Sequence, residues 1–292
     1  MQRDDLSVME RLTICGFALA TFLWMTSACS PSPRVIDGSE PAGPQSPETT
    51  AQALFAPPSP ETIPGDLRGE QIRLGYKMIV DTQDYGRRYV GNKLTCTNCH
   101  LDAGLNPNAL SFVGISTLYP QYRARAGRQV TLADRINECF ERSMNGRPLP
   151  PDSVKLTAIV AYIEWLSQNI PAGSAVPWRG MPDLTSTHRP DPISGKNVYE
   201  KSCVFCHGSE EQGTMLAPPL WGPHSYNIGA GMARISIAAS FIKANMPRGW
   251  RRTLTDAEAV DVAAYINTQS RPDFPAKIHD WPKGDRPADA PY

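Results

Sequence analysis

The sequence predicts an all-α, loop-rich protein built from two similar domains in tandem. Three observations support this fold class. A short Cys-x-x-Cys-His motif occurs twice, from Cys96 to His100 and from Cys203 to His207. One helical pattern precedes each copy, over residues 67–81 and 194–201, and another follows it, over 152–168 and 256–269. The chain of 292 residues also contains 22 glycines and 28 prolines, which is typical of two modest domains with many loops.

The first 29 residues have the pattern of an export signal. Arg11 precedes an apolar run of 14 residues from Leu12 to Met25, and small residues follow. Because this run is short for a membrane span, we predict a signal peptide over residues 1–29 and a periplasmic location. Cys29 follows Ser-Ala, as at a lipoprotein cleavage site. Two interpretations of Cys29 stay open, a lipid anchor and an unmodified thiol.

Composition divides the rest of the chain. Residues 30–64 are rich in Pro, Ser and Gly and predict a flexible tether. We expect a first domain over 65–177, a linker over 178–191, a second domain over 192–271, and a Pro-rich surface tail over 272–292. The formal net charge is zero, so charge gives no reason to expect a nucleic acid partner.

The two motifs predict two covalently bound haem c groups. In such a motif both thiols bond to haem, and the adjacent histidine ligates the iron. Spaced cysteine pairs also occur in zinc and redox sites, but two copies that both carry the histidine favour haem. The residues assigned to attachment and proximal ligation are Cys96, Cys99, His100, Cys203, Cys206 and His207.

Each proximal histidine needs an acceptor for its other ring N–H, because metal-bound histidine usually donates there. We expect a backbone carbonyl of residues 217–220 to serve in the second domain. Residues 106–108 are the corresponding candidate in the first domain.

The repeat also predicts the second axial ligands. Met246 lies 39 residues after His207, and Cys139 lies 39 residues after His100. We therefore predict a thioether ligand at the second iron and a thiolate, which lowers the potential, at the first. Cys139 has the alternative of being a small buried side chain, and Met144 is a nearby rival that lacks the equivalent spacing. The alternatives to Met246 are Met215, Met232 and Lys243.

A predicted helix surrounds Cys139. Thr131 can cap it, with Asp134 in the first turn. Arg135, Cys139 and Ser143 are spaced four residues apart and share one face of that helix.

Six arginines and three acids between residues 122 and 147 make this segment positive, and arginine suits oxyanions. Four of the arginines are expected to pair with nearby acids or haem carboxylates: Arg123, Arg128, Arg142 and Arg147.

Together these residues resemble the dihaem thiosulfate dehydrogenases, whose units resemble the small cytochrome c domain. The resemblance covers about residues 65–270 and is most specific over 135–150. It implies His and Cys ligands at the first haem, and His with Met or Lys at the second. Some members have lysine at the position of Asn245, so asparagine there favours stable His/Met ligation. The substrate site implied by the resemblance is formed by Arg125, Arg135 and Ser143 beside Cys139.

The resemblance implies that two thiosulfate ions are oxidised to tetrathionate, or the reverse, with a small cytochrome c as electron acceptor. The two arginines would hold substrate charge and Ser143 would donate a hydrogen bond. Cys139 is a candidate for a transient bond to substrate sulfur. Two other functions stay open: a dihaem electron carrier without a substrate site, and a cytochrome subunit of the sulfur-oxidising complex type.

Overall fold

A computed structural model of the chain describes residues 55–210 and 212–292. The predicted signal peptide, Cys29 and most of the tether lie outside these residues. Among the described helices, none combines the length and the apolar character needed to cross a bilayer.

The first domain consists of helices and one short antiparallel hairpin. Asp66 and Ser153 cap its first and last helices by accepting hydrogen bonds from backbone N–H groups. Thr131 and Asp134 form the expected capping box. The elements are α1 (Leu67–Val80), α2 (Thr82–Tyr85), β1 (Gln121–Arg123), β2 (Arg128–Val130), α3 (Leu132–Arg142) and α4 (Val154–Ser167).

The second domain repeats this order without a hairpin in its described part. Thr255 and Glu258 form another capping box at the start of its last helix. Its α-helices are α5 (Pro192–Ser202), α6 (Val204–His207), α7 (Ile235–Asn245) and α8 (Asp256–Thr268). The prediction of a helical protein with two similar tandem domains is therefore confirmed, and the hairpin is an addition to it.

The same close helix crossing organises both domains. α1 packs on α4, and α5 packs on α8. Gly75 lies at the first crossing, where a methyl group would overlap the carbonyl oxygen of Ala158. Gly195 has the same relation to the carbonyl oxygen of Asp261. Each crossing depends on a glycine because the backbones approach too closely for any side chain.

Replacing Gly75 with alanine is expected to lower the free energy of unfolding by about 2 kcal/mol. Alanine improves helix propensity by about 1 kcal/mol, but the overlap forces the helices apart at a cost of about 3 kcal/mol. Chemical denaturation of the haem-loaded protein measures the difference. Gly65→Ala is the control, because a methyl group there meets nothing within 4 Å. Equal stability in the two variants would contradict the close crossing.

The linker and the tail are both fastened to the domains. Residues 178–191 contain no helix or strand, yet Trp178 is buried and its indole N–H donates to the Val113 carbonyl at 2.9 Å. The tail contains a 3-10 helix at Pro275–His279. Its residues Phe274 and Trp281 are buried. These aromatic side chains therefore dock the tail against the domains.

Candidate functional site

The first motif lies in a cavity of about 260 Å³ within the first domain. Its lining includes Cys96, Cys99 and His100 together with Cys139 of helix α3. Burial raises the pKa of Cys96 and of Cys99 to about 12. Both thiols are therefore protonated at neutral pH before any group is bound to them.

His100 is oriented to offer one ring nitrogen to a metal. Its Nδ1 lies 2.6 Å from the Leu110 carbonyl oxygen. Because a carbonyl only accepts, Nδ1 must carry the proton, and Nε2 keeps its lone pair. Burial lowers the pKa of His100 to about 4, which keeps the ring neutral. Phe112 stacks on the ring with 4.3 Å between centroids.

The expectation that residues 106–108 accept from His100 was wrong, because this loop uses its polar groups elsewhere. The side-chain oxygen of Asn106 accepts from the Asn108 backbone. The Asn108 carbonyl accepts from the Asn245 side chain of the second domain at 2.8 Å. Leu110, at a positive φ of 54°, turns its own carbonyl to the histidine instead.

Helix α3 brings three of the predicted site residues to this cavity. Arg135, Cys139 and Ser143 all line it. Nη1 of Arg135 donates to Sγ of Cys139 at 3.1 Å and lies 3.6 Å from a carboxylate oxygen of Glu138. The attraction of the Cys139 sulfur raises the pKa of the Arg135 guanidinium above its ordinary value. A permanently charged guanidinium therefore lies directly against the sulfur.

Arg125 has a different position from the other three. It lies in the turn after β1 and is not among the residues that line the cavity. Its Nη1 donates to the Gly229 carbonyl of the second domain at 2.6 Å. Arg123, for which only ordinary pairing was expected, lines the cavity with Gln121. The alternation of side chains along β1 is the sequence signal that could have identified Arg123.

The remaining arginines of the segment differ in their partners, and Arg147 donates from Nε to the Arg88 carbonyl at 2.8 Å instead of pairing with one of the expected acids. Arg128 pairs with Asp134 at 3.2 Å, as expected. Arg142 pairs at 2.7 Å with Asp280 of the tail, a partner that local spacing does not suggest. Arg179 of the linker also lines the cavity, and sequence patterns did not single it out.

The second motif lies in a similar cavity of about 240 Å³. Cys203, Cys206, His207 and Met246 line it. Nδ1 of His207 lies 2.9 Å from the Pro218 carbonyl oxygen, within the segment expected to accept. Burial lowers the pKa of His207, so this ring is also kept neutral.

The other candidates for the second ligand of the second iron differ in where their side chains lie. Met215 is fully exposed, so it does not point into the domain. Lys243 donates its ammonium group to the Leu254 carbonyl and pairs with Asp256 at 2.9 Å. Met232 lines the cavity as Met246 does, and both are partly buried. Position within the repeat is the argument that still favours Met246 over Met232.

The two cavities are immediate neighbours. Leu94 and Cys99 line both of them. Thr97 and Asn98, the variable residues of the first motif, belong to the wall of the second cavity. This contact places the two attachment sites next to each other, an arrangement suited to electron transfer between them.

The residues of each cavity fit a haem c group. Each offers two cysteine thiols for attachment, a neutral histidine with a free Nε2, and a sulfur side chain as second ligand. Apolar side chains supply most of the remaining walls, as the macrocycle requires.

Comparisons with known proteins cover both domains. Residues 83–172 match the family model described as SoxA/TsdA, cytochrome c domain. Residues 190–266 match the model described as Cytochrome C oxidase, cbb3-type, subunit III.

Curated relatives match most of the chain. A thiosulfate dehydrogenase of Allochromatium vinosum is 44% identical over 227 residues, 74% of this chain and 84% of that protein. One of Stutzerimonas stutzeri is 41% identical over 233 residues, 78% of this chain and 76% of that protein.

A solved structure agrees with these matches. It is the thiosulfate dehydrogenase (TsdBA) from Marichromatium purpuratum in its as-isolated form, with a TM-score of 0.74 and 39% identity. The match covers 78% of this chain and 51% of the solved chain, so the present chain corresponds to about half of that structure.

Proposed function

Because the chain belongs to the thiosulfate dehydrogenase family, we propose that it joins two thiosulfate ions into tetrathionate and passes the electrons to a small cytochrome c. It is an oxidoreductase with two tandem cytochrome c domains that bind haem c. We place one haem in each cavity, with His100 and Cys139 as ligands in the first and His207 and Met246 in the second.

The reaction forms one S–S bond between the terminal sulfurs of two thiosulfate dianions and releases two electrons, with no net proton transfer. Each haem, when bound, accepts and releases one electron, so two haems match this requirement. The protein must bring two anions together. Unit charges 4 Å apart repel by about 4 kcal/mol at an effective dielectric constant of 20, and dianions repel more strongly.

The observation that carries the proposal is the contact between Arg135 and Cys139 within the cavity of the first motif. The guanidinium stays charged and offers a planar fork of N–H groups, which suits a sulfonate. Ser143 lines the same cavity and would donate a hydrogen bond to a sulfonate oxygen. Arg125, in the hairpin turn, would add positive charge from outside the cavity lining. A carrier without substrate has no need of this cationic face.

The second domain supplies the proposed exit for electrons. Phe205, inside the second motif, is 83% exposed, and the neighbouring Cys206 is also exposed. The corresponding residues of the first motif face the second cavity instead. This asymmetry supports the second domain as the side that would meet an external cytochrome c, where a haem held by Cys203, Cys206 and His207 would supply one-electron transfer.

A periplasmic location belongs to the same proposal. Residues 1–29 have the pattern of an export signal, and thioether attachment of haem takes place outside the cytoplasm. The mass of the N-terminal peptide from exported protein would show whether cleavage occurs before Cys29 and whether that residue carries a lipid.

The test adds thiosulfate to the oxidised, haem-loaded protein without oxygen. Haem absorbance should report reduction, and one tetrathionate should form for every two electrons delivered to added ferric cytochrome c. Sulfate is the control, because it has the same charge but no terminal sulfur to couple. The reverse assay supplies tetrathionate and a reductant. No turnover in either direction would favour the electron carrier without a substrate site.

A further inference from the structure

A buried carboxylate fastens the tail to the first domain. Asp280 accepts hydrogen bonds from both Nη atoms of Arg142, at 2.8 and 2.7 Å, and from the Tyr292 hydroxyl at 2.6 Å. The side chain of Asp280 is 5% exposed and that of Arg142 is 13% exposed. A forked pair of this kind is directional, so it holds the two backbones at a set distance.

The same carboxylate reaches the hairpin turn. Nε of Arg125 lies 3.8 Å from Asp280 Oδ2. The Arg125 guanidinium lies over the Trp281 ring, 4.7 Å from its centroid. The backbone N–H of Trp281 donates to the Arg125 backbone carbonyl at 2.8 Å. Together with the bond to Gly229, these contacts hold Arg125 between the second domain and the tail.

Asp280 therefore joins two chain segments that form the cavity around Cys139. On one side, Arg125 is two residues beyond Arg123, which lines this cavity. On the other side, Arg142 directly precedes Ser143, which lines it as well. The hairpin and the end of α3 thus share one carboxylate as their common anchor.

We propose that Asp280 is a positioning residue for substrate binding, which sets the hairpin segment of Arg123 and Arg125 against the Cys139 face of α3. The inference rests on the proposed function, because it takes thiosulfate as the anion bound there. Asp280 lies outside the cavity lining and acts through Arg125 and Arg142. The tail and the second domain are in this way part of the substrate site of the first domain.

The test is Asp280→Asn, which keeps the shape of the side chain and removes its charge. The KM for thiosulfate should rise about tenfold, while kcat changes less than twofold, because the residues near the reacting sulfur stay in place. Asp289→Asn is the matched control. Asp289 also anchors the tail, but to Arg234 and Ser236 of the second domain. Its KM should stay within twofold of the parent value.

Several outcomes would overturn the proposal. An unchanged KM in Asp280→Asn would do so, and so would equal increases in both variants, which would mean that tail docking alone matters. If Asp280→Asn does not fold, Tyr292→Phe removes one bond to the same carboxylate and should raise KM two- to threefold. Asp280→Glu, which keeps the charge, should recover most of the affinity.

Assays of the parent protein distinguish a failure of the Asp280 proposal from a failure of the proposed function. If the parent protein oxidises thiosulfate and Asp280→Asn has the same KM as the parent, only the proposed role of Asp280 is contradicted. Absence of thiosulfate turnover in the parent protein would remove the proposed function and, with it, the role of Asp280.

Discussion

Replacing Cys139 with alanine is expected to slow thiosulfate oxidation by about a thousandfold or more, with haem attachment intact. The substitution removes the sulfur that Arg135 contacts at 3.1 Å in the cavity of the first motif. Loss of one central catalytic group commonly costs a factor of about 10³ or more. The covalent attachment residues Cys96 and Cys99 are untouched. Steady-state rates with thiosulfate, together with the haem absorbance spectrum, measure both parts of this expectation.

Two further variants test whether Cys139 is the ligand and whether its sulfur also reacts. Met144 lines the same cavity and is buried, so Met144→Leu should stay within about threefold of the parent rate if Cys139 is the ligand. A large loss in Met144→Leu, with a mild effect of Cys139→Ala, would mean that Met144 is the ligand and Cys139 a packing residue.

The Cys139→Met variant tests whether the Cys139 sulfur bonds to substrate in addition to ligating iron. In our hypothesis, an S–S bond forms between Cys139 and the terminal sulfur of one thiosulfate, and the two electrons released pass on to the cytochrome c acceptor. The second thiosulfate then displaces the cysteine thiolate and tetrathionate departs. Methionine supplies a ligand but cannot form that bond, so activity should remain low. Full activity in Cys139→Met would rule out the covalent step.

Replacing Arg135 with glutamine is expected to lower kcat/KM for thiosulfate about a hundredfold. The guanidinium is the charged partner of Cys139, and it also lies 3.6 Å from Glu138. Its removal leaves that acid beside the incoming dianion. A charge-assisted hydrogen bond contributes about 1.5–3 kcal/mol, and 2.7 kcal/mol corresponds to about a hundredfold in rate. The assay is steady-state kinetics at constant ionic strength.

Two control variants distinguish the effect of the planar guanidinium of Arg135 from the effect of its positive charge alone. Arg135→Lys keeps the charge but loses the planar fork, so it should recover only part of the activity. Arg128→Gln removes a charge from the same segment, at a residue that pairs with Asp134 and does not line the cavity. Its kcat/KM should change less than twofold. An equal fall in Arg128→Gln and Arg135→Gln would assign the effect to general charge rather than to the site.

Local patterns were sufficient to predict the helices that flank each motif, the helix that carries Cys139, and the face of that helix that lines the first cavity. The pattern over residues 152–168 became helix Val154–Ser167, and the cap expected at Thr131 is present. Helical spacing placed Arg135, Cys139 and Ser143 on one face, and all three line one cavity. These predictions succeed because caps and helix faces depend on residues only a few positions apart.

Other features depend on contacts between distant residues. The carbonyl that meets His100 is that of Leu110, because Asn108 binds Asn245 of the second domain. Arg125 is held by Gly229, more than a hundred positions away in sequence. No pattern along the chain encodes such a partner, since many carbonyls and acids would satisfy the same local chemistry.

The sequence by itself determined the tandem repeat, the two attachment motifs and the helix face that carries Cys139. Each of these follows from spacing within one motif or one helix. Only the tertiary structure decided that the two cavities share Leu94 and Cys99, and that the tail joins the hairpin to α3 through Asp280. The physical reason is that an ion pair or a shared wall is specified by the packing of whole domains, which brings together residues that are far apart along the chain.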